Sequence, residues 1–193
     1  MSTTTRQLWL LAGGNGAGKS TFYRTRLEDR GIQFVNADLI EKQLDPPESE
    51  NPSYEAARIA RWQFAELVDK EKSFCFETVF SHESKLDMMR KAKEFGYQIT
   101  LVYLHLENAS LNEARVKMRM SEGGHWVPSE KIAARITRSI GLMEQAVELA
   151  DQFYLLDNSS HSNPFQQIVV KDKKGTRILV DPIPDWVAEI LSL

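Results

Sequence analysis

The stretch "LAGGNGAGKSTF" at residues 11–22 restricts the folds open to this chain more than any other feature. It is flexible, glycine-rich backbone, yet it lies between an apolar run, "QLWLLA" at 7–12, and a string of helix-favouring residues. The pattern G-x-x-x-x-G-K-[ST], the Walker A pattern or P-loop, is met by Gly13, Gly18, Lys19 and Ser20. Its required context, a strand before and a helix after, is met as well. In such a loop successive backbone N–H groups point inward and hold phosphate oxygens. The helix N-terminus adds favourable partial positive charge. Gly13, Gly14, Asn15, Gly16, Ala17, Gly18, Lys19, Ser20 and Thr21 are therefore expected to bind ATP. Lys19 is expected to reach the β- and γ-phosphates and the Ser20 hydroxyl to ligate Mg²⁺. The alternative is a glycine-rich turn with a solvated lysine, which the motif and its context together disfavour.

The rest of the chain alternates strand and helix signals. A helix is expected from Lys19 to about Arg30, a strand at 32–36 and a proline-rich surface loop at 45–52. Ser53 reads as the N-cap of a long helix that follows. Strands are expected at 74–80, 97–106 and 152–157, with helices at 84–96, from about Asn108 to Met120, and from a Ser129 cap to about 150. The tail reads as a β-hairpin, "FQQIVVK" and "TRILV" about the turn "DKKG", then a helix from near Pro184. This alternation predicts an α/β fold of three layers, a P-loop NTPase or kinase with a central parallel sheet, helices on both faces and a C-terminal β-hairpin and helix. A single domain over 1–193 is expected, with a lid at about 108–140.

Composition excludes several classes. A net charge of −3 argues against general nucleic-acid or membrane-surface binding. The one cysteine, Cys75, rules out an internal disulfide and lies in an apolar run, as a buried inert thiol would. No apolar stretch approaches the roughly 20 residues of a membrane span, and "LWLLAGG" is too short for a secretory signal. A cytoplasmic location is the default expectation.

Within P-loop proteins, motor and transporter ATPases place an Asp or Asp-Glu at the end of a hydrophobic strand. Here the third strand ends in Glu77-Thr78. Neither an "LSGGQ" signature nor the N-K-x-D motif of GTPases is present. A small-molecule kinase fits, since it needs only a cradle, a base, an acceptor pocket and a lid. In open α/β sheets ligands sit beyond the carboxyl ends of the strands. That edge collects Asp38 after the second strand, Glu77, Thr78 and Ser81 after the third, and Asp157, Asn158 and Ser159 after the fifth.

The pieces "GGNGAGKST", "VNADLI", "FETVFS", "ARVKMRMSEGGHWVPSEKIAARITRSI" and "LLDNS" occur in the order and spacing of the zeta-toxin family of P-loop kinases, which the chain resembles over roughly residues 7–160. The resemblance implies transfer of the ATP γ-phosphate to a UDP-activated amino sugar, with toxicity and an antitoxin protein partner as family properties. It implies that Asp38 is the general base, that Glu77 and Thr78 contact the acceptor, and that lid arginines stabilise the transferring phosphoryl group.

The residues support several of these roles by themselves, and each has a competitor. Asp38 is placed to accept a hydroxyl proton, or to cap the helix after it. Glu77 in an apolar run needs a partner, so a structural salt bridge competes with acceptor binding. Thr78 is also simply a good strand residue. The lid carries Arg115, Lys117, Arg119, Lys131, Arg135 and Arg138. Arg115 and Arg119 share one helical face and are the favoured catalytic pair; a solvated basic face is the alternative. His125 follows the paired glycines where the toxins tend to carry a basic lid residue, so acceptor binding competes with a structural role. The chain departs from the toxins in ending on a hairpin and one helix, which leaves the acceptor open. A kinase for another hydroxylated metabolite or a nucleotide, and a nucleotide-gated module that controls a partner protein, are the competing functions.

Overall fold

The apolar run that opens the chain becomes strand β1 (Gln7–Gly13), third in a seven-stranded sheet of a computed structural model that describes residues 5–44, 51–107, 109–121 and 129–191. Strand β1 pairs in parallel with β3 (Phe74–Thr78) on one side and β4 (Gln98–His105) on the other, so that Leu10 lies between Phe76 and Leu101. Strand β2 (Gln33–Val35) lies outside β3, and β5 (Gln152–Asp157) lies outside β4, all parallel. The expected hairpin, β6 (Gln166–Asp172) and β7 (Gly175–Ile178), extends the sheet antiparallel from β5. The order is β2-β3-β1-β4-β5-β6-β7.

Helices α1 (Lys19–Arg26), α2 (Ala37–Gln43), α3 (Pro52–Asp69), α4 (Ser84–Glu94), α5 (Ala109–Ser121), α6 (Ser129–Gly141) and α7 (Met143–Leu149) fill the connections, and α8 (Asp185–Leu191) follows the last strand. Alternation along β1 sorts the two faces of the sheet. Leu8, Leu10 and Ala12 enter a core with Phe64 of α3, Met89 of α4, Ala146 of α7 and Ile190 of α8. Leu11 points to the other face and packs with Ala17, Tyr23 of α1 and Leu27. Covered on both faces, β4 is buried from Ile99 to His105, and it reads as a continuous apolar run for that reason. The expected three-layer α/β architecture of a P-loop kinase-like fold is therefore present. Among the described residues no helix is long and apolar enough to cross a membrane.

Four boundaries differ from expectation. The first helix stops at Arg26, and a 3₁₀ turn at Glu28–Arg30 follows, because Leu27 leaves helical geometry to enter the core at 1% exposure. Ser53 does not cap α3. Asn51 does, accepting from the Tyr54 amide at 3.2 Å, and Pro52 takes the first turn, where its missing N–H costs nothing. The helix expected to run to about 150 breaks at Leu142 into α6 and α7. Strand β3 ends at Thr78 rather than at residue 80, because Phe80 turns the chain at φ 60 while its ring stays fully buried. Most of the expected 45–52 loop lies outside the described residues.

Candidate active site

The connections of β1 set the location. The chain crosses from β3 over β1 to β4, so strand order reverses at β1, where open α/β sheets form a crevice. The loop after β1 opens at that crevice. Gly13, Gly16 and Gly18 have φ of 139, 80 and 96, in the left-handed region that favours glycine. A Cβ on Gly13 would lie 2.3 Å from the Leu104 carbonyl oxygen, and one on Gly18 would lie 2.4 Å from Asn158 Nδ2. Lys19 is 6% exposed, and its Nζ donates to the carbonyls of Gly13 and Gly14, both at 2.9 Å, with Glu77 Oε1 at 3.8 Å.

Two buried asparagines brace this loop from behind. Asn112 of α5 donates Nδ2 to the Asn15 carbonyl at 2.7 Å. Asn158, just past β5, donates Nδ2 to the Ala17 carbonyl at 2.9 Å and accepts from the Phe165 amide at 3.3 Å. Arg115 donates to the Asn158 carbonyl at 2.8 Å. It thus touches the bracing asparagine rather than lining the cleft described below. Next to Leu104, His105 is buried and stacks on Trp186 with centroids 3.9 Å apart. Burial pulls its pKa down to about 4, against a smaller upward pull from Asp157.

In front of the loop, one amide joins three elements. Asn36, 4% exposed, donates Nδ2 to Glu77 Oε2 at 2.8 Å. The same carboxylate oxygen accepts from Ser20 Oγ at 2.8 Å. Through its other atom, Oδ1, Asn36 accepts from the amides of Asp38 and Leu39 at 2.7 and 3.3 Å and so caps α2. Asp38 is therefore not the cap; it sits on the first turn, one residue past α2's start. Glu77 turns its Oε2 toward Ser20 and Asn36, on the phosphate-loop side. Thr78 Oγ1 accepts from the Phe80 amide at 3.0 Å and so shapes the turn after β3.

Asp38, Glu77 and Thr78 all line a cleft of about 630 Å³ that begins at Asn15 and Lys19 and extends to His82 and Lys85. Of the basic residues expected to form a lid, Lys131 and Arg135 of α6 line it, and Arg135 Nη1 donates to Asn15 Oδ1 at 3.3 Å. Spacing along one helix favours Arg115 over Arg135, but it says nothing about which helix faces the cleft. The side chain of Arg119, and all of His125, lie outside the described residues. Sequence reasoning does not single out Asn36, Asn112, His82 or Lys85. Only Asn36 has a legible signal, a capping residue two positions before the helical Asp38.

A family model for an AAA domain, AAA_33, matches residues 8–140. The chain belongs to that AAA domain family. An uncharacterized protein of Haemophilus influenzae (strain ATCC 51907 / DSM 11121 / KW20 / Rd) is 28% identical over 137 residues, which cover 67% of this chain and 97% of that protein. The crystal structure of AvrRxo1-ORF1:-ORF2 with ATP superposes with a TM-score of 0.74 at 14% identity, covering 92% of this AAA-domain chain and 61% of that chain. The chain thus spans less than two thirds of that structure's length. The PezAT toxin-antitoxin system of Streptococcus pneumoniae gives a TM-score of 0.68 at 14% identity, covering 95% and 78%. Shikimate kinase from Acinetobacter baumannii in complex with shikimate gives 0.52 at 17%, covering 82% and 87%. At these identities the likenesses show the fold, a P-loop kinase-like one with small-molecule kinases among its neighbours.

Proposed function

We propose that the chain is an ATP-dependent small-molecule kinase of the zeta-toxin type. The observation that carries this reading is the continuity of the cleft. Lys19 of the phosphate loop, the carboxylate of Asp38 and a pocket beyond Thr78 open into one space. A nucleotide switch has no need of that pocket or of a carboxylate at its threshold.

ATP binds through Gly13–Thr21, and the fit rests on the left-handed glycines and the buried Lys19. Ser20 and Glu77 form an oxygen-only donor pair 2.8 Å apart, which suits Mg²⁺, an ion that takes one or two carboxylates beside substrate phosphates. When bound, Mg²⁺ neutralises charge on the β- and γ-phosphates. Asn36 holds Glu77 in place and, through its cap, sets the position of Asp38. The acceptor hydroxyl oxygen attacks the γ-phosphorus, the bond to the β–γ bridging oxygen breaks, ADP leaves, and Asp38 takes the hydroxyl proton. Lys19, with Arg135 and the other basic residues of the 108–140 lid, stabilises charge on the transferring group. Arg115 supports the loop from behind through Asn158, and Thr78 shapes the acceptor wall. Arg119 is the further candidate for stabilising the transferring group, and His125 for contacting the acceptor. The packing of Val116 against Ile132 and Ile136 supports α5 and α6 moving as one lid on a single catalytic unit.

The acceptor to test first is a UDP-activated amino sugar, followed by other hydroxylated metabolites and nucleotides. The likeness to PezAT supports an antitoxin protein as partner, and a cytoplasmic site of action follows from the substrates. Asp38→Asn tests the reading, because Asn36 keeps the helix cap. Acceptor-dependent ADP release should fall by roughly 10²–10⁴, with ATP affinity and melting temperature unchanged. ADP release by the unaltered protein that depends on no acceptor would replace the kinase with an NTPase switch.

A further inference from the structure

The cleft is also lined by a cation that the protein itself does not neutralise. Lys85, on the first turn of α4, is half-buried and lines the cleft. Among the described residues no carboxylate lies within 4.0 Å of its ammonium. Its contacts are soft: Met88 Sδ at 3.8 Å and the face of Phe76, whose ring centroid is 5.6 Å away. Burying a cation without an anion is costly. Desolvation, with added repulsion from Arg61, lowers the Lys85 pKa, which is the signature of a charge held away from water without compensation. Of the cleft's other cations, Lys19 is on the loop, Arg135 donates to Asn15, and Lys131 stands on the same helix as Arg135.

A second donor stands beside Lys85. His82 Nδ1 accepts from the Ser84 amide at 3.1 Å, so the neutral ring carries its proton on Nε2. His82 also lines the cleft. The turn that presents both residues is the one forced by Phe80 at φ 60. Left-handed backbone at a buried non-glycine residue is strained and persists where surrounding structure holds it, commonly at functional sites.

We propose that Lys85, assisted by His82, reads an anionic group on the phosphate acceptor, so that the enzyme's substrate is a hydroxyl compound already carrying a carboxylate or a phosphate. The inference rests on the kinase reading and adds the charge class of its substrate. A carboxylate or phosphate at Lys85 supplies the missing counter-charge, and pairing within the cleft orients the acceptor hydroxyl toward Asp38.

The test uses the full chain with Mg²⁺ and ATP carrying an ¹⁸O-labelled γ-phosphoryl group. A deproteinised cell extract, passed over an anion exchanger, supplies the acceptors. Labelled product is detected by mass spectrometry. It should come from the retained fraction. Alkaline phosphatase treatment of that fraction, followed by removal of the phosphatase, abolishes labelling if the group is a phosphomonoester and spares it if the group is a carboxylate or the diphosphate diester of a nucleotide sugar. With the acceptor so found, Lys85→Met should lower kcat/KM by roughly 10- to 100-fold, mainly through KM, with KM for ATP unchanged. Lys85→Arg should restore most of it. Labelling chiefly in the flow-through would overturn the inference and leave the kinase standing; so would an unchanged acceptor KM in Lys85→Met, since the lysine stem would then merely pack on Met88 and Phe76. Absence of any labelled product from both fractions would remove the kinase reading itself, and this inference with it. The fractionation needs no variant, so it decides the charge class even where Lys85→Met does not fold.

Discussion

Lys19 and Lys85 line one cleft from two differently built regions. Around Lys19 almost every polar atom has an internal partner: two loop carbonyls and Glu77 for its own ammonium, Asn36 for Glu77, Asn112 and Asn158 for the loop carbonyls. Around Lys85 there are a thioether, a ring face and open cleft. The first region is preorganised for a ligand that never changes, a chain of phosphates, and rigidity there lowers the reorganisation needed in the transition state. The second has fewer fixed bonds, and on the proposed reading it is where one acceptor is told from another.

The sharpest way to break this comparison is to remove the better-held lysine. Lys19→Ala should fold and lose roughly 10²–10³ in kcat, a loss in turnover where Lys85→Met loses acceptor affinity. Steady-state kinetics against both substrates, beside thermal melts, separate the two. Near-normal turnover in folded Lys19→Ala protein would dissolve the distinction.

The rigid region should also carry a pH dependence on the acid side. His105 titrates near 4 in the folded chain, below its ordinary 6.5. Between those values the unfolded chain binds more protons, so stability is full above about pH 6.5 and falls as pH drops toward 4, by about 3 kcal/mol at most. Urea unfolding at pH 7 and pH 4.5 measures the fall. His105→Gln should flatten its share of it. An unchanged slope would place the acid sensitivity on other groups.

The smallest effect is expected at Asn36, within the better-held region. Asn36→Ala removes the α2 cap and the Glu77 partner, costing about 1–2 kcal/mol of stability. Turnover should fall by roughly tenfold, because Ser20 and Asp38 lose their common reference. Equal stability in Asn36→Ala and the parent would mean that water replaces the amide at both contacts.

Much of this architecture was legible in sequence because its signals are local. The glycine positions of residues 13–18 report their own φ values, and the apolar runs of β1, β4 and β5 report burial on two faces. Boundaries differ where a core position overrides local preference. Leu27 ends α1 by entering the core. The apolar pair Val79-Phe80 reads as strand, yet the backbone turns there.

The sequence by itself determined that a phosphate cradle follows the first strand, since contiguous residues build it and glycine chemistry dictates its shape. Only the tertiary structure decided what surrounds the cradle. Asn36 meets Glu77 across 41 residues, and Asn158 meets Ala17 across 141. Arg135, not Arg115, lines the cleft with Lys85. A single asparagine or lysine has no period and no motif. Its partner is set by which strands lie side by side at the sheet's edge, a choice made by burial of the whole sheet and not by any short stretch of chain.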